Sequence, residues 1–222
     1  MFIPLKDLNP RRTYPLVNTL LILTNVIVFL FQLTLPPSQY KAFVMSNATI
    51  PSHINGFLTG HVSFAAAFLP LLTSMFLHSG LLHIAGNMLF LWIFGDNVED
   101  YFGHFPYLLF YLFCGVGSGL THIIANFHSS LPALGASGAI SAVMGAYIIL
   151  FPRARVLTLV VVFFLPIPAF IILGYWFLLQ FVAGVSSVGG AATGGVAWWA
   201  HIGGFLIGML VTLLSLRDRR QR

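Results

Sequence analysis

GASGAISAVMG, residues 135–145, is the stretch on which the reading of this chain turns: a serine, Ser137, set between glycines at the start of an apolar segment. Sixty-four residues later His201 lies in AHIGGFLIG, inside another apolar segment. Ser137 lies sixteen residues before the basic pair that begins at Arg153, and His201 sixteen residues before the basic cluster that begins at Arg217. At ~1.5 Å per helical residue both stand roughly 24 Å above the same charged face of a bilayer whose hydrocarbon core is ~30 Å thick. A hydroxyl and an imidazole at one depth are able to meet.

Composition sets the class. The 222 residues are 58% hydrophobic and 7% charged, a balance that a soluble domain of this size cannot place on its surface. The chain is read as an integral membrane protein. The single Cys114 excludes an intrachain disulfide and reads as a small buried hydrophobe. The net charge of +5 does not mark a nucleic-acid partner, because the Lys and Arg residues gather at the chain ends and in one short connection rather than on a basic face.

Apolar windows broken by Pro, Gly and charge give six helical spans, at about 15–35, 80–102, 105–126, 136–151, 168–184 and 196–216. The run VLTLVVVFFLPIP before the fifth carries Pro166 and Pro168, which interrupt a helix and leave the start of that span open. With the N-terminus inside, Lys6, Arg11, Arg12, Arg153, Arg155, Arg217, Arg219, Arg220 and Arg222 face the cytoplasm and Lys41 alone lies outside, the count of a multi-pass plasma (inner) membrane protein with both termini cytoplasmic. The connection between the second and third spans, with Asp96, Glu99 and Asp100, adds little to that count. Residues 11–35 resemble a secretory signal, but the apolar run is long and ends in LTLPPS without a small-x-small site, so it reads as an uncleaved anchor. Residues 36–79 form the one long connection, aromatic and almost uncharged, expected to lie in the membrane interface. No repeat or second domain is visible, and residues 1–222 read as a single membrane domain.

The fourth span is short. From Ser137 to Pro152 is only ~22 Å of helix, so the preceding FHSSLPALGAS is expected to dip into the membrane, where irregular backbone needs burial in protein or access to water. Gly135 and Gly138 permit close backbone approach at that helix start, and Ser137 there has a backbone N–H free to meet developing negative charge. Serine in such a helix ordinarily packs or bonds to a neighbouring helix, and Ser137, Ser141 and Gly145 do form a small-residue stripe. His201, Gly204 and Gly208 form a matching one. The two stripes allow close contact of the fourth and sixth spans, bringing a hydroxyl beside an imidazole able to take its proton. Intramembrane histidine is costly and by default functional.

HSGLLHIAGN adds His78, His83 and Asn87 at the outer end of the second span, with His83 and Asn87 one turn apart and placed to line an oxyanion site. Metal or haem ligation by His78, His83, His122 and His201 competes with this, but no HExxH and no apolar-span carboxylate accompanies them; no cofactor and no metal are expected. His53, His61, His104 and His128 read as loop or interfacial residues.

In this order GASG, HxxxN and AHIGG, together with NPRRTYPLVN and GDNVEDYFG, resemble a rhomboid intramembrane serine protease across nearly the whole chain. The resemblance implies an all-α, six-transmembrane-helix bundle and a Ser-His dyad without a third acid. Ser137 would be nucleophile and His201 general base, with the Ser137 N–H, His83 and Asn87 stabilising the oxyanion. It implies cleavage of transmembrane protein substrates near the outer face, within the lipid bilayer, and a gate at the fifth helix with Gly174 and Trp176. A peptide bond inside a helix is inaccessible, so substrates should carry helix-weakening residues, and small residues before the scissile bond are the family expectation. Three departures stand out. Residues 36–79 lack the Trp-Arg pair of many members. Ser141 occupies a position often aromatic, which leaves the orientation of His201 to His78 or Met144. Gly86 stands where a bulky residue often precedes the asparagine. The rivals are a catalytically silent rhomboid-like protein that binds transmembrane clients, and a histidine-dependent transporter or redox subunit, which the lack of buried carboxylates and inverted repeats disfavours.

Overall fold

The computed structural model describes residues 2–187 and 196–221. Its elements run β1 (Phe2–Asp7), α1 (Leu16–Thr34), α2 (Pro37–Asn47), α3 (Pro51–Leu58), α4 (Phe64–Phe68), α5 (Pro70–Thr73), a 3₁₀ turn (Ser74–Phe76), α6 (Leu81–Phe102), α7 (His104–Ala125), α8 (Ser137–Leu150), β2 (Arg155–Val160), β3 (Phe163–Pro168), α9 (Ala169–Ser187) and α10 (Trp198–Gln221). Among the described residues, α1, α6, α7, α9 and α10 are long and apolar enough to cross a membrane, and α8 has only 14 residues. The six helices expected from the sequence thus begin and end within five residues of their expected limits, five of them long enough to cross a membrane.

The bundle is arranged around α8, the shortest of the six helices read as spans. Ten consecutive residues of α8, Gly138 to Tyr147, are buried, so it runs through the middle of the protein while α1 and α9 turn most of their apolar side chains outward. On α1 the inward stripe is polar, with Asn18, Asn25 and Gln32 buried beside Leu21 and Phe29, the inverse of a water-soluble amphipathic helix. Asn18 shows how such a stripe is satisfied: its amide donates to the Leu91 carbonyl at 3.0 Å and accepts from the Tyr107 hydroxyl at 2.9 Å. Gly95 faces it, and a Cβ at that position would stand 2.0 Å from Asn18 Oδ1.

Contact between α8 and α10 is backbone on backbone. A Cβ on Gly204 would stand 2.1 Å from the Gly138 carbonyl oxygen, one on Gly208 2.1 Å from that of Ala142, and one on Gly145 2.1 Å from that of Phe205. The small-residue stripes read from the sequence are therefore the surfaces through which these helices meet, and close packing replaces the hydrophobic drive that lipid removes.

The acidic residues of GDNVEDYFG lie on the last turns of α6, not in a connection. Glu99 is buried and accepts the N–H groups of Val17 and Asn18 at 2.9 and 2.7 Å, so a carboxylate satisfies the open N-terminus of α1. His104, the first residue of α7, sets its Nδ1 2.5 Å from Glu99 Oε1. Asp100 takes the N–H groups of Arg12 and Thr13.

The helical reading gains one element it lacked. VLTLVVVFFLPIP forms the hairpin β2–β3, and β1 joins it in an antiparallel sheet of order β1-β2-β3. β-Branched Val156 and Thr158 fill the buried face of β2, and Pro166 and Pro168 sit on the edge strand, where a missing N–H costs no ladder bond. The fifth span accordingly starts cleanly at Ala169. β1 lies beside β2 at the end of the bundle where α8 finishes, and Arg219 of α10 donates to the Tyr101 carbonyl at the end of α6, so both chain termini lie at that end.

The connection after α1 is not an open loop. Its short helices are stitched to the segment before α8 by Thr49 and Ala133, which exchange backbone hydrogen bonds of 2.9 and 2.8 Å, and by Ser52 N–H to the Ser129 carbonyl at 2.9 Å. The irregular backbone that leads to Ser137 is thus hydrogen-bonded to this connection, while His128, Ser130 and Leu131 stay exposed.

Candidate active site

Ser137 is the first residue of α8, so its N–H has no acceptor within the helix. The chain arrives through Gly135, whose φ of +122° is open to glycine alone and whose N–H donates to the Ser74 carbonyl at 2.8 Å. Space demands glycine here too: a Cβ would stand 2.8 Å from His83 Nε2 and 3.6 Å from Asn87 Nδ2. The two α6 side chains therefore press against the loop that delivers Ser137.

His201 Nε2 lies 2.7 Å from Ser137 Oγ. Residues 64 positions apart reach hydrogen-bond distance because the glycines between α8 and α10 bring the two backbones together. Both side chains are partly accessible. Ser141 donates its hydroxyl to the Ser137 carbonyl at 2.6 Å.

Just before α6, the Ser79 N–H and hydroxyl lie 3.4 and 3.0 Å from His83 Nδ1. Because the backbone N–H only donates, His83 Nδ1 is the acceptor and Nε2 carries the proton, on the side facing Gly135. Asn87 Nδ2 lies 2.9 Å from His78 Nε2, which takes one of its two N–H groups and leaves the other for the site. His78 is fully buried and held by Gln32 of α1, with Gln32 Nε2 donating to its carbonyl at 3.1 Å and its N–H donating to Gln32 Oε1 at 3.0 Å. A cavity of about 230 Å³ joins these groups, lined by His83, Gly86, Asn87, Ser137, Trp176 and His201 among others.

The orientation of His201 differs from the expectation. His78 is committed to Asn87 and Gln32, and Met144 only lines the shared cavity. The groups on the imidazole come instead from α9 and the start of α10: Gln180 Oε1 lies 2.7 Å from Nδ1, and the Trp176 and Trp198 rings lie 5.9 and 6.2 Å away. Gln180 and Gln32 belong to no motif in the sequence, although an amide in an apolar span is itself a signal that a partner waits inside the bundle. His122 has Asn126 at 3.4 Å from its Nδ1 and lines a small pocket that also reaches Ser137. Cys114 is buried and free.

The family model described as Rhomboid domain matches residues 65–218. RHOMBOID-like protein 12, mitochondrial, of Arabidopsis thaliana is 32% identical over 184 residues, which cover 71% of this chain and 51% of that protein. Rhomboid protein 1, mitochondrial, of Saccharomyces cerevisiae is 32% identical over 147 residues, 62% of this chain and 39% of that protein. Rhomboid protease GluP of Bacillus subtilis is 46% identical over 77 residues, 34% of this chain and 14% of that protein. The chain spans about half the length of these curated relatives, or less. Two of the three are named for the mitochondrion, so the plasma membrane expected above gives way to the coarser property that the spans establish, an integral membrane protein. With a family model over more than half of its residues, the chain belongs to the rhomboid family.

Proposed function

We propose that this chain is an intramembrane serine endopeptidase of the rhomboid type, with Ser137 as nucleophile and His201 as general base. The observation that carries the reading is the 2.7 Å approach of His201 Nε2 to Ser137 Oγ, the distance at which an imidazole takes a hydroxyl proton as attack begins. Ser137 Oγ adds to the scissile carbonyl carbon while its proton passes to Nε2. The carbonyl oxygen gains negative charge in front of the Ser137 N–H, His83 Nε2–H and the free Asn87 N–H. His201 then protonates the departing amine, and a water, deprotonated by the same nitrogen, releases the acyl group from Ser137. Donors fixed before reaction lower this barrier more than flexible ones, each being worth roughly 3–4 kcal/mol in comparable sites.

The substrate class follows from depth. Ser137 sits at the start of a helix too short to span, toward the end opposite the termini, so it meets the outer part of a substrate's membrane segment. Such a segment must unwind to be cut, which favours Gly, Pro or polar residues there. The excess of Lys and Arg at the chain ends and in the β2 region supports termini on the cytoplasmic side. The test is cleavage of a model transmembrane substrate in proteoliposomes by the wild type and Ser137→Ala. The reading expects a single cut near the outer face that the variant abolishes. Retained binding of the substrate without any cut in a folded wild type would instead identify a client-binding protein.

A further inference from the structure

We infer that Gln180 is the positioning residue of this site: its side-chain carbonyl fixes the tautomer and direction of His201, in the place where soluble serine hydrolases keep a carboxylate. The inference rests on the reading of Ser137 and His201 as the reacting pair.

Helix α9 is apolar and mostly outward-facing, with Tyr175, Leu178, Leu179, Phe181 and Val182 exposed. Its buried residues are Ala169, Ile172, Leu173, Gln180 and Gly184, so Gln180 is the one polar side chain on its inner face. An amide enclosed in a membrane protein is costly unless it is bonded, and this one spends its oxygen on His201 Nδ1 at 2.7 Å. That oxygen only accepts. The proton of the neutral imidazole must then reside on Nδ1, which leaves the Nε2 lone pair directed at Ser137 Oγ, 2.7 Å away. Without Gln180, the other tautomer is open to His201; it would donate from Nε2 to the serine and be unable to take its proton.

Trp176 lies one turn before Gln180 and sets its ring 5.9 Å from the imidazole at 37°. Both constraints on His201 from this side therefore come from α9, in a chain where α8 offers Ser141 at the position from which an aromatic ring would otherwise act. A neutral amide suits the depth. A carboxylate would have to remain ionised inside the bundle to act as the soluble enzymes' acid does, and the membrane opposes that. Any outward displacement of α9 would also carry Gln180 away from Nδ1, so the packing of this helix and the readiness of the dyad are linked.

The test compares wild type, Gln180→Leu and Gln180→Glu in two readouts: the rate of fluorophosphonate labelling, and kcat and KM for a transmembrane substrate across pH. Gln180→Leu keeps the volume and removes the acceptor; labelling and kcat should fall by about 10²-fold, the cost of a misdirected catalytic group, with KM and the melting temperature little changed. Gln180→Glu, kept neutral at this depth, still offers a carbonyl acceptor to Nδ1–H, so it should recover most of the lost rate across the same pH range. Equal labelling by wild type and a folded Gln180→Leu would overturn the inference while leaving the dyad standing, and so would a Glu variant as slow as the Leu variant. Absence of labelling in the wild type would remove the dyad and the inference together.

Discussion

Replacing Gly204 by alanine puts a methyl group where the Gly138 carbonyl oxygen already stands, 2.1 Å from the new Cβ, with Ser141 Cβ a further 3.3 Å contact. The obstructing atom is backbone and cannot rotate aside. To reach even 3.0 Å, the closest approach that Cβ atoms tolerate, α8 and α10 must part by about 0.9 Å. Gly138 follows Ser137, and His201 lies one turn before Gly204, so the separation acts on the reacting pair. The Ser137–His201 distance of 2.7 Å would widen to about 3.6 Å, beyond a hydrogen bond. A misplacement of ~1 Å costs about 10²-fold in rate. Stability should change much less, because overpacking costs ~1–3 kcal/mol and is offset by about 1 kcal/mol from the better helix former. The assay pairs fluorophosphonate labelling rates with thermal unfolding in detergent. A folded Gly204→Ala protein that labels within twofold of wild type would refute the argument that glycine contact sets the dyad distance.

Three further outcomes are expected. Asn87→Ala removes one oxyanion donor and should lower kcat by ~10²–10³-fold with KM nearly unchanged, as measured by steady-state cleavage. A Cβ at Gly86 meets open space beside the 230 Å³ cavity, so Gly86→Phe should raise KM for a transmembrane substrate severalfold, with small-probe labelling much less affected. Asp7 tests the sheet at the other end: burial lifts its carboxyl from 3.8 to about 6, against the opposing pull of the Asn9 N–H and the Tyr147 hydroxyl. Because the folded state holds this proton more tightly than the unfolded chain, stability falls as pH rises from about 4 to about 6 and stays lower above it. Asp7→Asn should therefore raise the melting temperature at pH 7 and not at pH 4; an equal change at both would show that the carboxyl's ionisation is not the cause.

What the sequence made legible was what repeats or stands in contrast. Spans are long apolar runs, and stripes of small residues at helical spacing pair α8 with α10, so Ser137 and His201 were found together. His83 and Asn87 lie one turn apart on one helix and follow from local geometry as well. Gln180 was hidden because its role depends on how α9 lies across α10, which no spacing along the chain encodes. The sheet escaped for a related reason: VLTLVVVFFLPIP is as apolar as a span, and β1, more than 150 residues distant in the register Phe2 with Val160, supplies the partner that decides for strand over helix. The acidic turns of α6 looked like a connection because charge at the end of an apolar run resembles a membrane exit. Three-dimensionally, Glu99 caps a different helix.

The central claim is a reactive Ser137 activated by His201, and the most direct measurement is covalent labelling of the purified protein by a fluorophosphonate probe, with the modified residue located by mass spectrometry. The account expects one adduct, on Ser137, lost in Ser137→Ala and reduced to background in His201→Ala while both variants remain folded. A folded wild type that takes no probe, or labelling that persists unchanged in His201→Ala, would contradict it.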